Sequence, residues 1–268
     1  MRILSYAGPD GPRPAVVDGE VVRPIGATGV MDVVRGAAAE PTGEELPLAG
    51  LELLSPLRPG KLIGIGLNYR DHAAETGKPV PELPLLFAKM PTAVTGPAGP
   101  VVLPAYTSEP DFEGELAVVI GRTARDVPAA RALDHVFGYA VMNDVSARDR
   151  QRVEPQWVRA KGADTFGPWG PWITTVDEVP DPQSLRIRTW VSGELMQDGT
   201  TADMVFSVAE LVAFISGSFT LEPGDVITTG TPAGVGVART PQRFLRPGDT
   251  VRIEIDGLGA IEHRVTAA

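Results

Sequence analysis

Hydrophobic and polar residues alternate over short stretches of this chain, with glycine-containing turns between them. The clearest case covers positions 251–256, where Val251, Ile253 and Ile255 alternate with charged residues; this pattern is typical of a strand with one buried face. Tight hairpins need positive φ angles, which Asp-Gly and Ser-Gly pairs supply. Such pairs occur at positions 18–19, 192–193 and 256–257. The pattern therefore predicts a β-rich protein with three hairpins.

Few segments have the periodicity of a helix. Ser207 and Glu210 form a capping-box pair before the apolar segment AELVAFISGSF, which predicts a helix that ends near Gly217. A second helix is predicted to begin near Ser146, with Asp149 at its capping position. The predicted fold class is α+β, rich in strands and with few short helices.

The chain divides into a small N-terminal part and a larger remainder. Residues 37–60 contain Pro, Gly and Glu without clear periodicity, and we expect them to act as a linker. The predicted organisation is an N-terminal hairpin module with its linker over residues 1–55 and a catalytic domain over residues 56–268.

Composition narrows the possible functions. The chain has 268 residues, of which 43% are hydrophobic, so it can bury a substantial core. Its net charge of −10 argues against binding to nucleic acid or to an anionic membrane surface. The absence of cysteine excludes disulfides and thiolate chemistry. There is neither a signal-peptide pattern nor a long apolar stretch, so we expect a cytoplasmic protein.

Two carboxylates stand at the start of the apolar run ELAVVIG. Glu113 and Glu115 are two positions apart, and such side chains share one face of a strand. Carboxylates placed side by side repel each other, and a hard divalent cation would relieve that repulsion. The alternative is an exposed strand edge with two solvated glutamates.

Asp144 follows the apolar run FGYAVM, where a strand gives way to a loop and then a helix. Functional groups are common at such positions, although Asp144 could equally serve as a helix cap. Arg148 and Gln151 follow at a spacing that places both on one helical face.

A third helix is predicted over residues 70–76, ending at Gly77. Its His72 and Glu75 are three positions apart and share a face. A histidine held by a carboxylate can serve as a general base, although a surface pair has the same spacing. The other histidines, His135 and His263, are interpreted as structural.

Two irregular segments carry further polar candidates. Lys161 lies in the glycine- and proline-rich segment RAKGADTFGPWGP. The later segment TTGTPAGVGV lacks the Lys-Ser/Thr pair of a phosphate-binding loop. Its backbone amides and Thr231 could instead bind a carboxylate or carbonyl oxygen.

Taken in order, five segments resemble the fumarylacetoacetate hydrolase family and cover roughly residues 60–240. The matching segments are IGLNYRDHAAE, DFEGELAVVIG, GYAVMNDVSARDRQ, RAKGADTFGPWGPW and GDVITTGTPAGVG. The resemblance implies the mixed β-sheet fold of that family, a β-roll or sandwich, and a homodimer. One departure is Arg150, which stands where relatives commonly have an aliphatic residue; we expect its side chain to point away from Arg148, towards a subunit surface.

The resemblance also implies roles for individual residues. Mg²⁺ or Mn²⁺, with Ca²⁺ as a substitute in crystals, would be held by Glu113, Glu115 and Asp144. The water-activating pair would be His72 and Glu75. The residues implied to face the substrate are Lys161, as a catalytic group, and Arg148, Gln151, Thr231 and Tyr69.

The activity implied is metal-dependent hydrolysis of a carbon–carbon bond in a 2,4-dioxo acid, such as an acylpyruvate or a fumarylpyruvate-like compound. The His–Glu pair would activate a water, and cleavage would release an enolate. Two alternatives use the same site: isomerisation of 2-hydroxy-dienedioates and decarboxylation of oxaloacetate. A more distant alternative is a non-catalytic metal-dependent binding protein. In each case the expected partner is a small oxo acid.

Overall fold

The computed structural model describes residues 1–268 and contains nineteen strands and six helices. The strands of the N-terminal part are β1 (Arg2–Gly8), β2 (Gly11–Asp18), β3 (Val21–Pro24), β4 (Leu46–Pro47) and β5 (Leu53–Leu54). The central strands are β6 (Leu62–Gly66), β7 (Leu85–Lys89), β8 (Val94–Thr95), β9 (Val101–Leu103), β10 (Pro110–Asp111), β11 (Gly114–Ile120), β12 (Val136–Asn143), β13 (Ser146–Ala147) and β14 (Gly167–Thr175). The C-terminal strands are β15 (Arg186–Val191), β16 (Glu194–Thr200), β17 (Val226–Thr228), β18 (Thr250–Ile255) and β19 (Gly259–Ala267). The helices are α1 (Val30–Val34), α2 (Arg70–Glu75), α3 (Ala129–Ala132), α4 (Arg148–Val153), α5 (Val158–Lys161) and α6 (Val208–Ser218).

Two large sheets organise the molecule. The first has twelve strands, in the order β4-β3-β2-β1-β14-β12-β11-β17-β6-β7, with β5 beside β1 and β8 beside β14. Its pairs are antiparallel except β17–β6 and β14–β8, which are parallel. The second sheet has five strands in the order β16-β15-β18-β19-β9. The predicted β-rich fold with few short helices is confirmed.

Strand β11 is buried on both faces. Leu116 and Val118 belong to a core cluster of 35 residues that includes side chains of the second sheet. Ala117 and Val119 belong to a separate cluster that includes the buried residues of α1. A strand covered on both sides needs apolar residues at every position, which explains the continuous run in the sequence. The start of β11 is consequently inside the protein.

The predicted capping box and turns are present. Ser207 and Glu210 cap α6 reciprocally, with Glu210 accepting a hydrogen bond from the Ser207 backbone at 2.8 Å. All three predicted hairpins form, and each turn contains a glycine with positive φ. Helix α2 ends before Gly77, whose φ is +65°.

One local prediction was wrong. Asp149 does not cap α4, because the strand pairing of β13 continues to Ala147 and makes Ala147 the residue before the helix. Asp149 instead accepts a hydrogen bond from Thr107 at 2.6 Å. The predicted linker over residues 37–60 contains β4 and β5, which pair with β3 and β1. Strands of two residues are too short to leave a periodic signal.

Arg150 packs against its own chain. Its guanidinium donates to the backbone oxygen of Tyr106 at 2.8 Å and lies over the Tyr106 ring.

No helix of the structure has the length and apolar character required to cross a membrane.

Candidate active site

Three acidic side chains from two neighbouring strands converge in the core. Glu113 and Glu115 flank Gly114 at the start of β11, and Asp144 follows the end of β12. The two strands are antiparallel with Gly114 opposite Asn143, so these ends lie side by side. The three carboxylates bring one oxygen each within 4.8 Å of one another, and all three residues are buried. We call this group the carboxylate triad.

The backbone of the triad is closely packed. A Cβ at Gly114 would collide with Thr189 of the second sheet, so only glycine fits between the two glutamates. Asn143 accepts a hydrogen bond from the Glu113 backbone at 3.0 Å, and its amide nitrogen lies 2.9 Å from Nε2 of His263. His263 is therefore a structural residue, as predicted. It holds Asn143, which in turn binds the backbone of Glu113.

Cations compensate two of the three triad residues. Lys161 Nζ lies 2.5 Å from Glu113 and 2.8 Å from Asp144. Lys89 Nζ lies 2.5 Å from the other oxygen of Asp144 and donates to the backbone oxygen of Lys161. Sequence reasoning missed Lys89. A signal existed, because Lys89 is in phase with the buried Phe87 along β7.

The three carboxylates differ in their electrostatic environment. Burial alone would raise the pKa of Glu113, yet the charges of Lys161 and Arg148 hold that pKa well below its usual range. For Glu115, burial and the negative charges of Asp144 and Glu113 raise the pKa well above its usual range. No lysine or arginine forms an ion pair with Glu115. The triad thus keeps one carboxylate without a cationic partner.

The donor set fits a hard divalent cation. All three candidate ligands are carboxylates, which Mg²⁺ and Mn²⁺ prefer. A cation at this position would supply the positive charge that Glu115 lacks. The buried group of Glu113, Glu115 and Asp144 could therefore hold a divalent metal ion.

His72 and Glu75 form the predicted pair on α2. Nδ1 of His72 lies 2.8 Å from Oε1 of Glu75, and His72 is 6% exposed. The second oxygen of Glu75 accepts a hydrogen bond from the Gly234 backbone at 2.8 Å. Glu75 thereby orients the imidazole and joins α2 to the glycine-rich segment.

That glycine-rich segment binds the protein's own acidic side chains. Its backbone amides donate to four carboxylates at distances of 2.8–3.0 Å. The pairs are Gly230 to Glu115, Ala233 to Asp71, Gly234 to Glu75, and Gly236 and Val237 to Asp111. The sequence indicates that these amides could bind a carboxylate or carbonyl oxygen, and they bind carboxylates of the protein. Because carboxylates of the chain already occupy them, they position the site instead.

Glu113 and Glu115 of the triad and the histidine pair open onto one cavity of about 540 Å³, and Asp144 lies behind its wall. Arg148 contributes to its wall and is held by Asp111 at 2.8 Å, Glu113 at 2.6 Å and Gln151 at 2.9 Å. The wall also includes Lys161 and Thr231, and the Thr231 hydroxyl donates to the Gly114 backbone.

Tyr69 and Asp144 are the predicted site residues that do not contribute to the cavity wall. The Tyr69 side chain is completely buried. Its contact with a substrate stays a prediction. Trp157, which packs against Phe87 with ring centres 5.7 Å apart, does reach the wall.

A mixed β fold that carries a buried carboxylate triad beside a histidine–glutamate pair defines a class of metal-binding enzymes. Two family models match this chain: "Fumarylacetoacetate (FAA) hydrolase C-terminal" over residues 61–266 and "Rv2993c-like, N-terminal" over residues 1–56. The chain belongs to the fumarylacetoacetate hydrolase family, and the resemblance found in the sequence is confirmed.

Relatives cover the whole chain. Protein Rv2993c of Mycobacterium tuberculosis is 46% identical over 268 aligned residues, covering 99% of this chain and 98% of that protein. A structure described as 2-hydroxyhepta-2,4-diene-1,7-dioate isomerase from Mycobacterium marinum is 42% identical with a TM-score of 0.86, covering 100% of this chain and 98% of the other. Fumarylacetoacetate hydrolase from Exiguobacterium antarcticum is 36% identical with a TM-score of 0.91, and each chain is covered completely. The relatives thus carry both hydrolase and isomerase names.

Proposed function

We propose that this protein is a divalent-metal-dependent hydrolase that cleaves a carbon–carbon bond in 2,4-dioxo acids of the acylpyruvate or fumarylpyruvate type. The observation that carries the proposal is the presence of His72, oriented by Glu75, on the same cavity as Glu113 and Glu115 of the carboxylate triad. Hydrolysis requires an attacking water and therefore a base to activate it, whereas decarboxylation requires neither.

Glu113, Glu115 and Asp144 are the residues that would hold the metal ion. A bound divalent ion would polarise the 2-oxo acid group of the substrate and stabilise negative charge that develops on it.

His72 is assigned as the general base. When Nδ1 donates its proton to Glu75, Nε2 is the ring atom that can accept a proton from water. The resulting hydroxide attacks the carbonyl carbon distant from the carboxylate. Lys161, buried at the cavity wall, is suited to stabilise the oxyanion that forms.

The bond that breaks joins the attacked carbonyl carbon to the methylene carbon beside the 2-oxo group. The electron pair stays on the methylene side, which leaves as the enolate of pyruvate and is then protonated. The attacked carbon becomes a carboxylic acid. Water supplies the hydroxyl group and the proton, so no further reactant is needed.

Isomerisation is the second candidate. It is favoured by the 42% identity to the Mycobacterium marinum structure described as an isomerase of a 2-hydroxy-dienedioate. In that reaction a proton moves within the substrate and no carbon–carbon bond breaks. The same triad and the same base would serve it.

Proton NMR of product formation separates these reactions. Acetylpyruvate, a longer acylpyruvate, oxaloacetate and 2-hydroxyhepta-2,4-diene-1,7-dioate are each incubated with the protein and Mg²⁺. We expect pyruvate together with one equivalent of free carboxylic acid from the acylpyruvates. Pyruvate from oxaloacetate alone would assign a decarboxylase, and conversion of the dienedioate alone would assign an isomerase. Absence of all products would contradict the proposal.

A further inference from the structure

A glutamine of the second sheet reaches the backbone of the carboxylate triad. Gln197 lies on β16 and is completely buried. Its side-chain oxygen accepts a hydrogen bond from the backbone N–H of Gly114, and its side-chain nitrogen donates one to the backbone oxygen of Pro232, both at 2.9 Å. Since a backbone N–H only donates and a backbone oxygen only accepts, these partners fix the orientation of the amide. Gln197 therefore joins the triad strand to the glycine-rich segment in one defined orientation.

The same amide fixes the hydroxyl group of Thr231. Nε2 of Gln197 donates to Oγ1 of Thr231 at 2.7 Å, and the hydroxyl donates its one proton to the backbone oxygen of Gly114 at 2.9 Å. Both backbone polar groups of Gly114 are thus bound by side chains that also bind each other. The three hydrogen bonds among Gly114, Gln197 and Thr231 form a closed ring, which we call the Gly114 ring. It surrounds the residue that stands between Glu113 and Glu115.

The Gly114 ring lies where β11 has no further strand beside it. Strand β17 pairs with β11 from Ala117 to Val119, and the backbone N–H of Thr229 adds one more bond, to Leu116. Beyond that point the glycine-rich segment leaves the sheet, and its amides bind carboxylates elsewhere. A glutamine side chain carries both a donor and an acceptor, as a peptide unit does. Gln197 consequently replaces the missing strand at Gly114, whose buried polar groups would otherwise lack partners.

A β-bulge turns Gln197 towards the triad. Neighbouring side chains of a strand normally point to opposite faces, yet Met196 and Gln197 are both buried. In the pairing of β15 with β16, Thr189 is opposite Gln197 and Trp190 is opposite Leu195, so Met196 is an extra residue. Such an insertion redirects the side chains beside it. The strand therefore departs from its regular alternation at the point where Gln197 meets the triad.

We propose that Gln197 is a positioning residue of the metal centre, which acts through the Gly114 ring. Glu113 and Glu115 converge on one position only while the residue between them keeps a fixed conformation, and glycine constrains its own backbone least of all residues. The Gly114 ring supplies that constraint from the second sheet. Loss of the Gln197 amide opens the ring and weakens the binding of a divalent ion. This inference rests on the metal-binding part of the proposed function and is independent of the reaction.

Calorimetric titration of Mn²⁺ into metal-free protein tests the inference without turnover. Gln197→Met keeps the length of the side chain and removes both its donor and its acceptor. We expect its affinity for Mn²⁺ to fall about ten- to a hundredfold, the usual result of removing groups that hold metal ligands in place. Wild-type affinity in the folded variant would overturn the role of Gln197.

Thr231→Val opens the same ring at its other side chain. It removes the hydroxyl at nearly unchanged shape and should also lower the affinity for Mn²⁺. Because either substitution opens the ring, the double variant should bind Mn²⁺ about as weakly as the weaker of the two single variants. Losses that multiply in the double variant would show that the two side chains act independently, and would overturn the ring. If Gln197→Met does not fold, Thr231→Val decides, and wild-type affinity there would overturn the inference.

Gln183→Met is the matched control. Gln183 also joins two backbone groups, because it accepts from the N–H of Val208 at 2.8 Å and donates to the oxygen of Thr201 at 3.0 Å, and it lies outside the cavity wall. Urea denaturation should show a loss of stability in both glutamine variants, whereas only Gln197→Met should lose affinity for Mn²⁺. An equal loss of affinity in Gln183→Met would reveal a general structural effect and overturn the inference.

The same titrations separate this inference from the proposed function. Absence of Mn²⁺ binding to the wild type would contradict the metal centre, and with it both proposals. Binding to the wild type with undiminished affinity in the ring variants would overturn only the role of Gln197. Weakened Mn²⁺ binding in Gln197→Met, in a protein that does not cleave acylpyruvates, would support the role of Gln197 and contradict the proposed hydrolysis.

Discussion

The carboxylate triad lies where the ends of two paired strands, β11 and β12, meet inside the core. The pair of His72 and Glu75 lies instead on a helix of six residues, which is fixed by contacts with the glycine-rich segment. The triad residues are at most 4% exposed and are positioned by sheet register. Helix α2 is joined to the glycine-rich segment through Asp71 and Glu75. The metal site is thus positioned mainly by strand pairing and the base by a short helix, and the glycine-rich segment contacts both Glu115 and Glu75. Substitutions in the triad and substitutions in the pair of His72 and Glu75 should therefore have separate effects.

The largest effect is expected at the triad. Glu115→Gln removes the carboxylate that has no cationic partner, so the protein should lose both metal binding and cleavage, with activity falling by roughly a thousandfold or more. Calorimetry with Mn²⁺ and the acylpyruvate assay measure the two losses. Glu82→Gln, at an exposed residue whose side chain forms no hydrogen bond or ion pair, is the control. Metal binding of wild-type strength in Glu115→Gln would contradict the ligand assignment.

A somewhat smaller effect, confined to catalysis, is expected at His72. His72→Gln should lower cleavage by roughly a hundred- to a thousandfold, since a positioned general base contributes that much. Metal affinity should be unchanged, because His72 is not among the candidate ligands. His135→Gln is the same substitution at a histidine far from the cavity wall and should be silent. Full activity in His72→Gln would exclude this residue as the base.

Glu75→Gln should lower the rate of cleavage by an intermediate amount, because Glu75 is the partner of His72. It keeps the length of the side chain but removes the charge that orients the imidazole, so a loss of about ten- to a hundredfold is expected. The dependence of the rate on metal concentration should match that of the wild type. A shifted metal dependence would show that the helix and the triad are coupled, and would contradict their separate responses to mutation.

The smallest effect concerns stability and comes from His263, behind the triad. Burial lowers the pKa of His263 to about 3, below its value in the unfolded chain. Folding therefore disfavours protonation, so the contribution of this residue to stability is present above the unfolded pKa, about 6.5, and is lost as the pH falls from there towards 3. Between pH 7 and pH 5 the wild type should lose about 2 kcal/mol more unfolding free energy than His263→Gln. Urea denaturation at both pH values measures this, and equal losses would contradict the assigned burial.

Much of the site was predictable because its residues occur in short segments. The i, i+3 spacing of His72 and Glu75 and the positions of Glu113, Glu115 and Asp144 relative to apolar runs are local features. Local structure follows from such features directly, as the capping box of α6 also shows. The convergence of β11 and β12 itself depends on strand pairing, which only the family resemblance supplied in advance.

The residues that were missed or misjudged depend on contacts between distant parts of the chain. Lys89 reaches Asp144 across 55 positions, and the amides of Gly236 and Val237 reach Asp111 across more than 120. The periodicity of a strand or helix indicates which residues are buried, but not which distant residues they contact.

The central claim is that the buried carboxylate triad is a divalent metal centre required for the reaction. The most direct test titrates Mn²⁺ into protein freed of metal by a chelator, with bound Mn²⁺ followed by electron paramagnetic resonance and acetylpyruvate cleavage measured in the same samples. The account predicts one tightly bound ion per chain and cleavage that rises in proportion to the bound ion. Cleavage that persists at the wild-type rate without metal would contradict it.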